Sequence, residues 1–584
     1  MKPMKERQRK RASNRAHARR RMRRALALLT CCGAPLGASA MPLETDNPDL
    51  SVRWDNTVRY NLGVRAQRQD SAVLNNTSYD DSDSKFGRGD VVTHRVDLLS
   101  EFDVKYKQRF GGRISGAAWY DHAYRNTEVK SNPLFTVPGL GNLSGAYPGD
   151  RYSAYTRRWN RGPSGELLDA FVFGRFDAGA TPVDVRLGRH NVYWGESFFS
   201  FVHGVSYSQG PVDLRKLSTT PGVEIKELYL PQAQASGEVH LTDNLSVGAQ
   251  YMLEWDPSRL PDGGTYLGAV DFSSLGGGTY VINPASANAI AGRFGMPPGS
   301  IAAVPFLGVQ DRPRNRGDWG AKATWRPEAL NGALGFYYRE YTDRFPQYVQ
   351  GGLQPSGFPT DLRLSYLPGA KLFGVSLSKE IAGLSLGSEI VYRKNTGLVN
   401  GAATLAGAEP RGNTWHALVN ILGLMPGNAL FDSATYIAEL TYSRLDKVTS
   451  NGANYAGVGY PGCPTADKWD GCATRGAWGI ALRFEPVWYQ VFSGVDLKAP
   501  MFLQTGLKGN SPVPFGGNQG AGSYSLGLTA EVRGKYSFSL QYNGYLLKTK
   551  QGLVNGMPAV SAVNGLGNTF ADRGWVSLTF KTTF

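Results

Sequence analysis

The stretch Val52-Arg53-Trp54-Asp55-Asn56-Thr57-Val58-Arg59-Tyr60-Asn61-Leu62-Gly63-Val64-Arg65 alternates apolar and polar side chains over fourteen residues, with only Asn56 out of step. Successive side chains of a strand point to opposite faces. One face of this segment is therefore apolar, and the other carries Arg53, Asp55, Arg59 and Arg65. A soluble sandwich strand alternates in the same way, but usually over about five or six residues.

The pattern recurs. Val96, Leu98, Phe102, Val104 and Tyr106 alternate with Arg95, Asp97, Glu101, Asp103 and Lys105. Segments around 414–421, 434–442 and 524–532 alternate too, the first less cleanly. In the last segment Val576, Leu578, Phe580 and Phe584 share one face, opposite Ser577, Thr579, Lys581 and Thr583, with Thr582 out of step. A terminal Phe on an amphipathic last strand resembles the signal by which bacterial outer-membrane barrels are recognised. It predicts that the barrel-assembly machinery reads Phe584.

Between these segments lie short Gly/Asn/Asp turns and several long Gly/Pro-rich connections, the longest from Asp256 to about Gly317. Alternating short and long connections are what a transmembrane barrel requires. A spanning strand takes about 9–11 residues. With loops included, 544 residues from Met41 onward at about 30 per strand give about 18 strands. The expectation is an all-β, antiparallel transmembrane β-barrel of roughly 16–18 strands with long extracellular loops. The apolar composition of Asp256–Gly317 predicts that this connection folds into the lumen or against lipid.

The charge of the chain reads differently once it is located. There are 63 Lys+Arg and 48 Asp+Glu, a formal net charge of +15. Met1 to Arg24 alone holds twelve basic residues and one acid, Glu6. Without that segment the net charge falls to +4, so the basic balance does not point to a nucleic-acid partner. After it come the apolar run Ala25-Leu26-Ala27-Leu28-Leu29 and the small-x-small site Ala38-Ser39-Ala40. Together these read as a secretory signal peptide over 1–40, with the barrel over 41–584. The unusually long basic stretch suggests that translation starts at Met22, which would leave a compact leader. A mean hydropathy of −0.31 argues against a polytopic helical membrane protein.

Four cysteines occur. Cys31 and Cys32 belong to the leader, and Cys463 and Cys472 stand in a polar stretch with eight residues between them. In an oxidising compartment they read as one loop disulfide.

Motifs for catalysis and metal binding are weak. Gly383-Leu384-Ser385-Leu386-Gly387 matches the nucleophile-elbow spacing, which needs a strand, a sharp turn and then a helix. Here strand alternation simply continues through Ser388-Glu389-Ile390-Val391. The histidines are scattered, without zincin spacing. Asp80-Asp81-Ser82-Asp83 lacks the glycine and distal Glu of a calcium loop and reads as a solvated acidic loop. No catalytic residue, metal site or cofactor is expected.

Several segments resemble a proteobacterial outer-membrane family catalogued as domain of unknown function 1302. They are 47–58 (Asn-Pro-Asp-Leu-Ser-Val-Arg-Trp-Asp-Asn-Thr-Val), 95–101 (Arg-Val-Asp-Leu-Leu-Ser-Glu) and 115–121 (Ser-Gly-Ala-Ala-Trp-Tyr-Asp). Further on come Arg186-Leu187-Gly188-Arg189, Trp194-Gly195-Glu196-Ser197, 210–217 (Gly-Pro-Val-Asp-Leu-Arg-Lys-Leu), Leu330-Asn331-Gly332 and Gly335-Phe336-Tyr337-Tyr338. The resemblance covers nearly the whole chain after the leader. It implies a large porin-like barrel passing hydrophobic or amphipathic compounds, without an established solute. The region from Trp194 to Leu217 also resembles constriction-loop segments of general and substrate-selective porins, although Phe198-Phe199-Ser200-Phe201-Val202-His203 is more aromatic than that pattern.

Function is expected from electrostatics. Arg or Lys facing lipid near the midplane costs about 2–4 kcal/mol, so rows of charge must face the lumen. The pore-lining candidates are Arg53, Asp55, Arg59, Arg65, Arg95, Asp97, Glu101, Asp103 and Lys105. Arg186, Arg189, Asp213, Arg215 and Lys216 are the candidates for a constriction. Tyr193, Trp194, Phe198, Phe199 and Phe201 read as an aromatic girdle at the membrane interface or as an apolar solute track. The expected protein is a channel in the outer membrane of a Gram-negative bacterium. It would pass small solutes by diffusion, with outer-membrane lipid around it and homo-oligomerisation left open. The alternative is a surface barrel that binds partners or serves adhesion through its long loops.

Overall fold

The computed structural model describes residues 41–43, 45–132, 136–137, 141–142, 145–282, 287–288, 291–292, 295–300, 303–311, 313–314, 316–355, 359–402, 404–554, 557–564 and 570–584. The expected signal peptide, with Cys31 and Cys32, lies outside them.

Eighteen antiparallel strands close into a barrel. In chain order they are β1 Leu50–Arg65, β2 Val91–Tyr106, β3 Phe110–Asp121, β4 Ser164–Ala178, β5 Thr181–His190, β6 Gln232–Thr242, β7 Leu245–Met252, β8 Trp319–Trp325 and β9 Gly332–Tyr341. Then follow β10 Ala370–Ile381, β11 Leu384–Gly397, β12 Arg411–Pro426, β13 Ser433–Ser450, β14 Gly476–Phe492, β15 in two segments (Val495–Lys498 and Met501–Lys508), β16 Gly522–Val532, β17 Tyr536–Leu546 and β18 Trp575–Thr583. Each pairs with its sequence neighbour. The barrel shuts where β18 pairs with β1, from Thr57↔Thr583 to Arg65↔Trp575. The break in β15 falls at Ala499-Pro500, where proline has no N–H to give the ladder.

Eight connections at one end are two to six residues long, and nine at the other run from 13 to 66. At the tight end Ala382 (φ 51°) and Gly383 (φ 79°) form a two-residue turn with both central residues left-handed, the geometry that matches strand twist. Ser385 lies just past that turn, on β11, with strand rather than helix behind it.

Burial is inverted relative to a water-soluble protein. Trp54, Val96, Leu98, Ile114, Val172, Phe373, Ile390, Val419 and Leu540 are exposed, whereas Arg59, Asn61, Arg95, Asp97, Glu101, Glu389, Arg393 and Glu439 are buried. Such an apolar outer belt is stable only against lipid, and a closed barrel leaves no unpaired strand edge there. None of the described helices is long and apolar enough to cross a membrane; the strands cross it.

The long connections account for most of the apolar core. Near its start, connection 253–318 sends Arg259 to Glu166 of the wall strand β4. It builds a small mixed sheet with connection 342–369, pairing Gly278–Val281 with Ala303–Asp311, that strand with Leu362–Ser365, and the last with Gln347–Gln350. Trp255, Phe306, Leu364 and Tyr366 pack beneath it, which explains the apolar residues the sequence places there. Cys463 and Cys472 form a disulfide in connection 451–475, with Cα atoms 5.8 Å apart.

Candidate functional site: a loop laced across the lumen

Connection 191–231 enters the barrel and is fastened to two opposite walls. Its short helices are α2 Leu214–Thr219 and α3 Ile225–Leu228. On the β1 side, Arg59 Nη1 donates to Glu227 Oε2 at 2.9 Å, and Arg59 also lies 3.7 Å from Asp97. Arg59, Asp97 and Lys581 are register partners on three adjacent strands. Lys581 in turn donates to Glu224, and Lys226 to Glu101. The loop thus answers a row of wall charges with complementary charges of its own. Despite the cost of burial, Arg59 holds the Glu227 carboxyl below its ordinary range.

The opposite wall, ten strands on, uses carboxylates to hold backbone. Glu389 on β11 accepts from the N–H groups of Glu196 (2.5 Å), Ser197 (3.1 Å) and Val205 (2.6 Å). Glu439 on β13 accepts from those of Phe198 (2.7 Å), Phe199 (3.2 Å) and Ser200 (2.7 Å). Charge-assisted bonds of this kind are roughly twice as strong as neutral ones. Arg339 donates to the carbonyls of Val205 (3.0 Å) and Tyr207 (2.6 Å), and the Arg393 guanidinium sits 3.8 Å over the Tyr207 ring.

Asp213, Arg215 and Lys216 are brought together, and their charges are consumed there. Asp213 caps α2 by accepting from the N–H groups of Arg215 and Lys216, and its carboxylate meets Arg215 at 3.0 Å and Arg259 at 3.2 Å. Lys216 and Arg259 share Glu166 of β4, at 2.9 and 2.6 Å. Against the penalty of burial, Arg215, Arg259 and Lys216 hold Asp213 well below the usual carboxylate range. Trp119 and Trp159 stack at 5.3 Å, with Arg215 and Arg259 over Trp159 and Lys216 and Arg95 over Trp119. The cavity left here is about 20 Å³, room for about one water molecule.

The remaining candidates divide by depth and by strand face. Arg95 pairs with Asp97 at 2.8 Å, and Glu101 faces the half-buried Arg113 at 3.6 Å; Arg95, Asp97 and Glu101 are buried. Arg65 is sealed under the long connections, bonded to Asp83 (2.8 Å) and Asp572 (2.9 Å). These four candidates, with Arg59, point into the barrel but do not line open water, because the inserted loop and the long connections cover and neutralise them. Towards the tight-turn end Arg53 pairs with Asp55 (2.6 Å), Asp103 with Arg113 (2.7 Å), and Lys105 is exposed. Arg186 is exposed, with its guanidinium 5.7 Å from the Phe171 ring centre. Arg189, three residues on, takes the other strand face and pairs with Glu254, so it does not join the constriction set. The aromatic group is not a membrane girdle. From the inserted loop, Phe199 packs on Phe502 of β15 at 5.4 Å and Phe201 stacks on Phe345 of connection 342–369 at 5.5 Å.

One wall stays wet. On β14–β17 the inward-facing Arg483 and Gln504 are exposed, and Ser525, Ser539 and Gln541 are half-buried. Sequence alternation marks this face as polar but does not distinguish it from the covered walls. Glu166, Glu227, Glu389 and Glu439 were not singled out either. Their only signal is an acidic side chain on an inward position among Ser, Thr and Gly, or in a loop opposite basic strand residues.

An 18-stranded membrane barrel with a side-anchored loop inside it defines the class. The chain belongs to the family described as a protein of unknown function (DUF1302), which it matches over residues 21–584. No curated protein matches it recognisably in sequence. Solved structures similar to it include Acinetobacter baumannii OccAB1, at 10% identity and TM-score 0.41, covering 94% of this chain and 99% of that one. Pseudomonas aeruginosa OpdK with vanillate (9%, TM-score 0.36, 91% and 98%) and Pseudomonas aeruginosa OccK2 (OpdF) in complex with glucuronate (9%, TM-score 0.37, 91% and 98%) are similar as well.

Proposed function

We propose that this protein is a passive diffusion channel of a Gram-negative outer membrane, reached through an N-terminal export signal over 1–40 and inserted by the barrel-assembly machinery. The observation that carries this is the wet inner face of β14–β17. Solvent-exposed polar residues facing the interior of a closed barrel require water in the lumen. The path runs between that wall and the inserted loop.

Its lining mixes character. On the wall Arg483 is the register partner of Phe502, on which the loop's Phe199 packs, and the loop's neighbouring Phe198 is 45% exposed. A charged wall opposite aromatic rings suits small amphipathic solutes, whose polar end follows the wall while the apolar part slides along the loop. Passage needs neither cofactor nor catalysis.

The test is conductance of the refolded protein in planar bilayers, together with solute-dependent swelling of proteoliposomes. Discrete conductance steps and uptake of small amphipathic solutes are expected. Absence of both overturns the channel.

A further inference from the structure

We infer that Asp80, Asp81 and Asp271 form a binding site for a hard divalent cation, calcium in the medium outside the cell, which staples three long connections over the barrel mouth. The site is independent of the channel path.

The segment 80–83, expected as a solvated acidic loop, is instead the start of a short buried helix, α1 Asp80–Lys85. Asp80, Asp81 and Asp271 are only 0%, 1% and 2% exposed. Each offers a carboxylate oxygen within 4.8 Å of those of the other two. Oxygens that share one calcium at about 2.3–2.6 Å lie within about 5 Å of one another. All three donors are oxygen, the ligand type of a hard cation rather than of zinc or copper.

Two further facts separate this group from an ordinary acidic cluster. Asp80 Oδ1 and Asp271 Oδ1 are buried without any hydrogen-bond donor, an arrangement that is costly for a carboxylate oxygen unless a cation faces it. The local charge also fails to balance. Arg65 and Arg573 serve Asp83 and Asp572. No Lys or Arg forms an ion pair with Asp80, Asp81 or Asp271 among the described residues. Burial first, then the neighbouring Asp81, pushes Asp80 and Asp271 well above the usual carboxylate range, against the opposing pull of Arg573 on Asp271, as buried clustered carboxylates do.

The carboxylates are held in place from three directions. The Asn132 N–H donates to Asp80 Oδ2, the Ala146 N–H to Asp81 Oδ2 at 2.8 Å, and the Asp81 N–H to Asp271 Oδ2 at 2.9 Å. Connections 66–90, 122–163 and 253–318 therefore meet at one point, each with its backbone committed.

Terbium luminescence excited through the protein's tyrosines tests the site, using full-length protein refolded in detergent free of lipopolysaccharide. Expected are saturation near one equivalent, displacement by calcium, and a calcium-dependent, EDTA-reversible rise in thermal midpoint. The Asp80→Asn/Asp271→Asn double variant should bind at least tenfold more weakly and lose the calcium-dependent rise. Should that variant fail to refold, the wild-type titration and its EDTA reversal decide alone. No saturable binding by the wild type overturns the site. Equal binding by the variant, or a variant stabilised without any cation dependence, overturns it too and identifies carboxyls that share protons.

Discussion

Arg59 and Glu227 stand 168 positions apart in the chain, yet their charged groups meet at 2.9 Å inside the barrel, both side chains almost without exposure. A buried pair is held by its partner rather than by water. Removing one side strands the other, at a cost of about 3–5 kcal/mol. Arg59→Met should therefore loosen the inserted loop without opening the barrel. In bilayers, noisier and larger conductance steps are expected, with the heat-resistant electrophoretic mobility of the folded barrel unchanged. Steps identical to the wild type would contradict this role.

The opposite anchor is made by Glu389 and Glu439, which together take six backbone N–H groups. Replacing both with Gln removes the charge and turns an NH2 group toward those donors. Hydrogen exchange of amides 196–205 should accelerate by at least tenfold, corresponding to about 1.4 kcal/mol of lost anchoring. Unchanged protection in the double variant would show that packing alone holds this side.

His203 makes the anchoring acid-sensitive. Burial, and next the nearby Arg393, pull its pKa down to about 3. Its Nδ1 lies 2.7 Å from Ser200 Oγ, and His416 faces it at 5.7 Å between ring centroids. A histidine whose folded pKa is lowered takes up its proton more readily once released. The loop should therefore lose anchoring as pH falls from about 6.5 toward 3, by at most about 1.4 kcal/mol per pH unit. Exchange of amides 198–209 measured at pH 7, 5 and 4 should show this, and His203→Gln should flatten the dependence. A profile equally steep in the variant would assign the effect to another group.

The outer face can be tested by placing a charge on it. Ile390 is 59% exposed on β11, on the side opposite Glu389. Ile390→Arg should destabilise the barrel in vesicles by about 2–4 kcal/mol, read from denaturant unfolding. A neutral result would mean that this position does not contact the hydrocarbon core.

The barrel was legible because its rule is local. Side chains alternate every second residue, so Val52–Arg65 and Trp575–Thr583 announce their two faces without reference to any other part of the chain. Strand number follows from length, and the disulfide from two cysteines close together in a polar loop. The inward direction of Arg59, Arg95, Asp97 and Glu101 was legible for the same reason. The same rule separates Arg189 from Arg186: three residues apart on one strand, they take opposite faces and do not share one narrowing.

What the charges do once inside was decided by tertiary structure alone. Sequence alternation cannot say that Glu227 and Glu224 will return to meet Arg59 and Lys581, or that Glu389 and Glu439 will hold backbone. Nor can it say that Asp80, Asp81 and Asp271 converge from distant connections. Strand periodicity determines a face, whereas burial and pairing depend on which loop fills the lumen. That choice is non-local, set by charge complementarity across the barrel and by the cost of leaving any one of those buried groups unpaired.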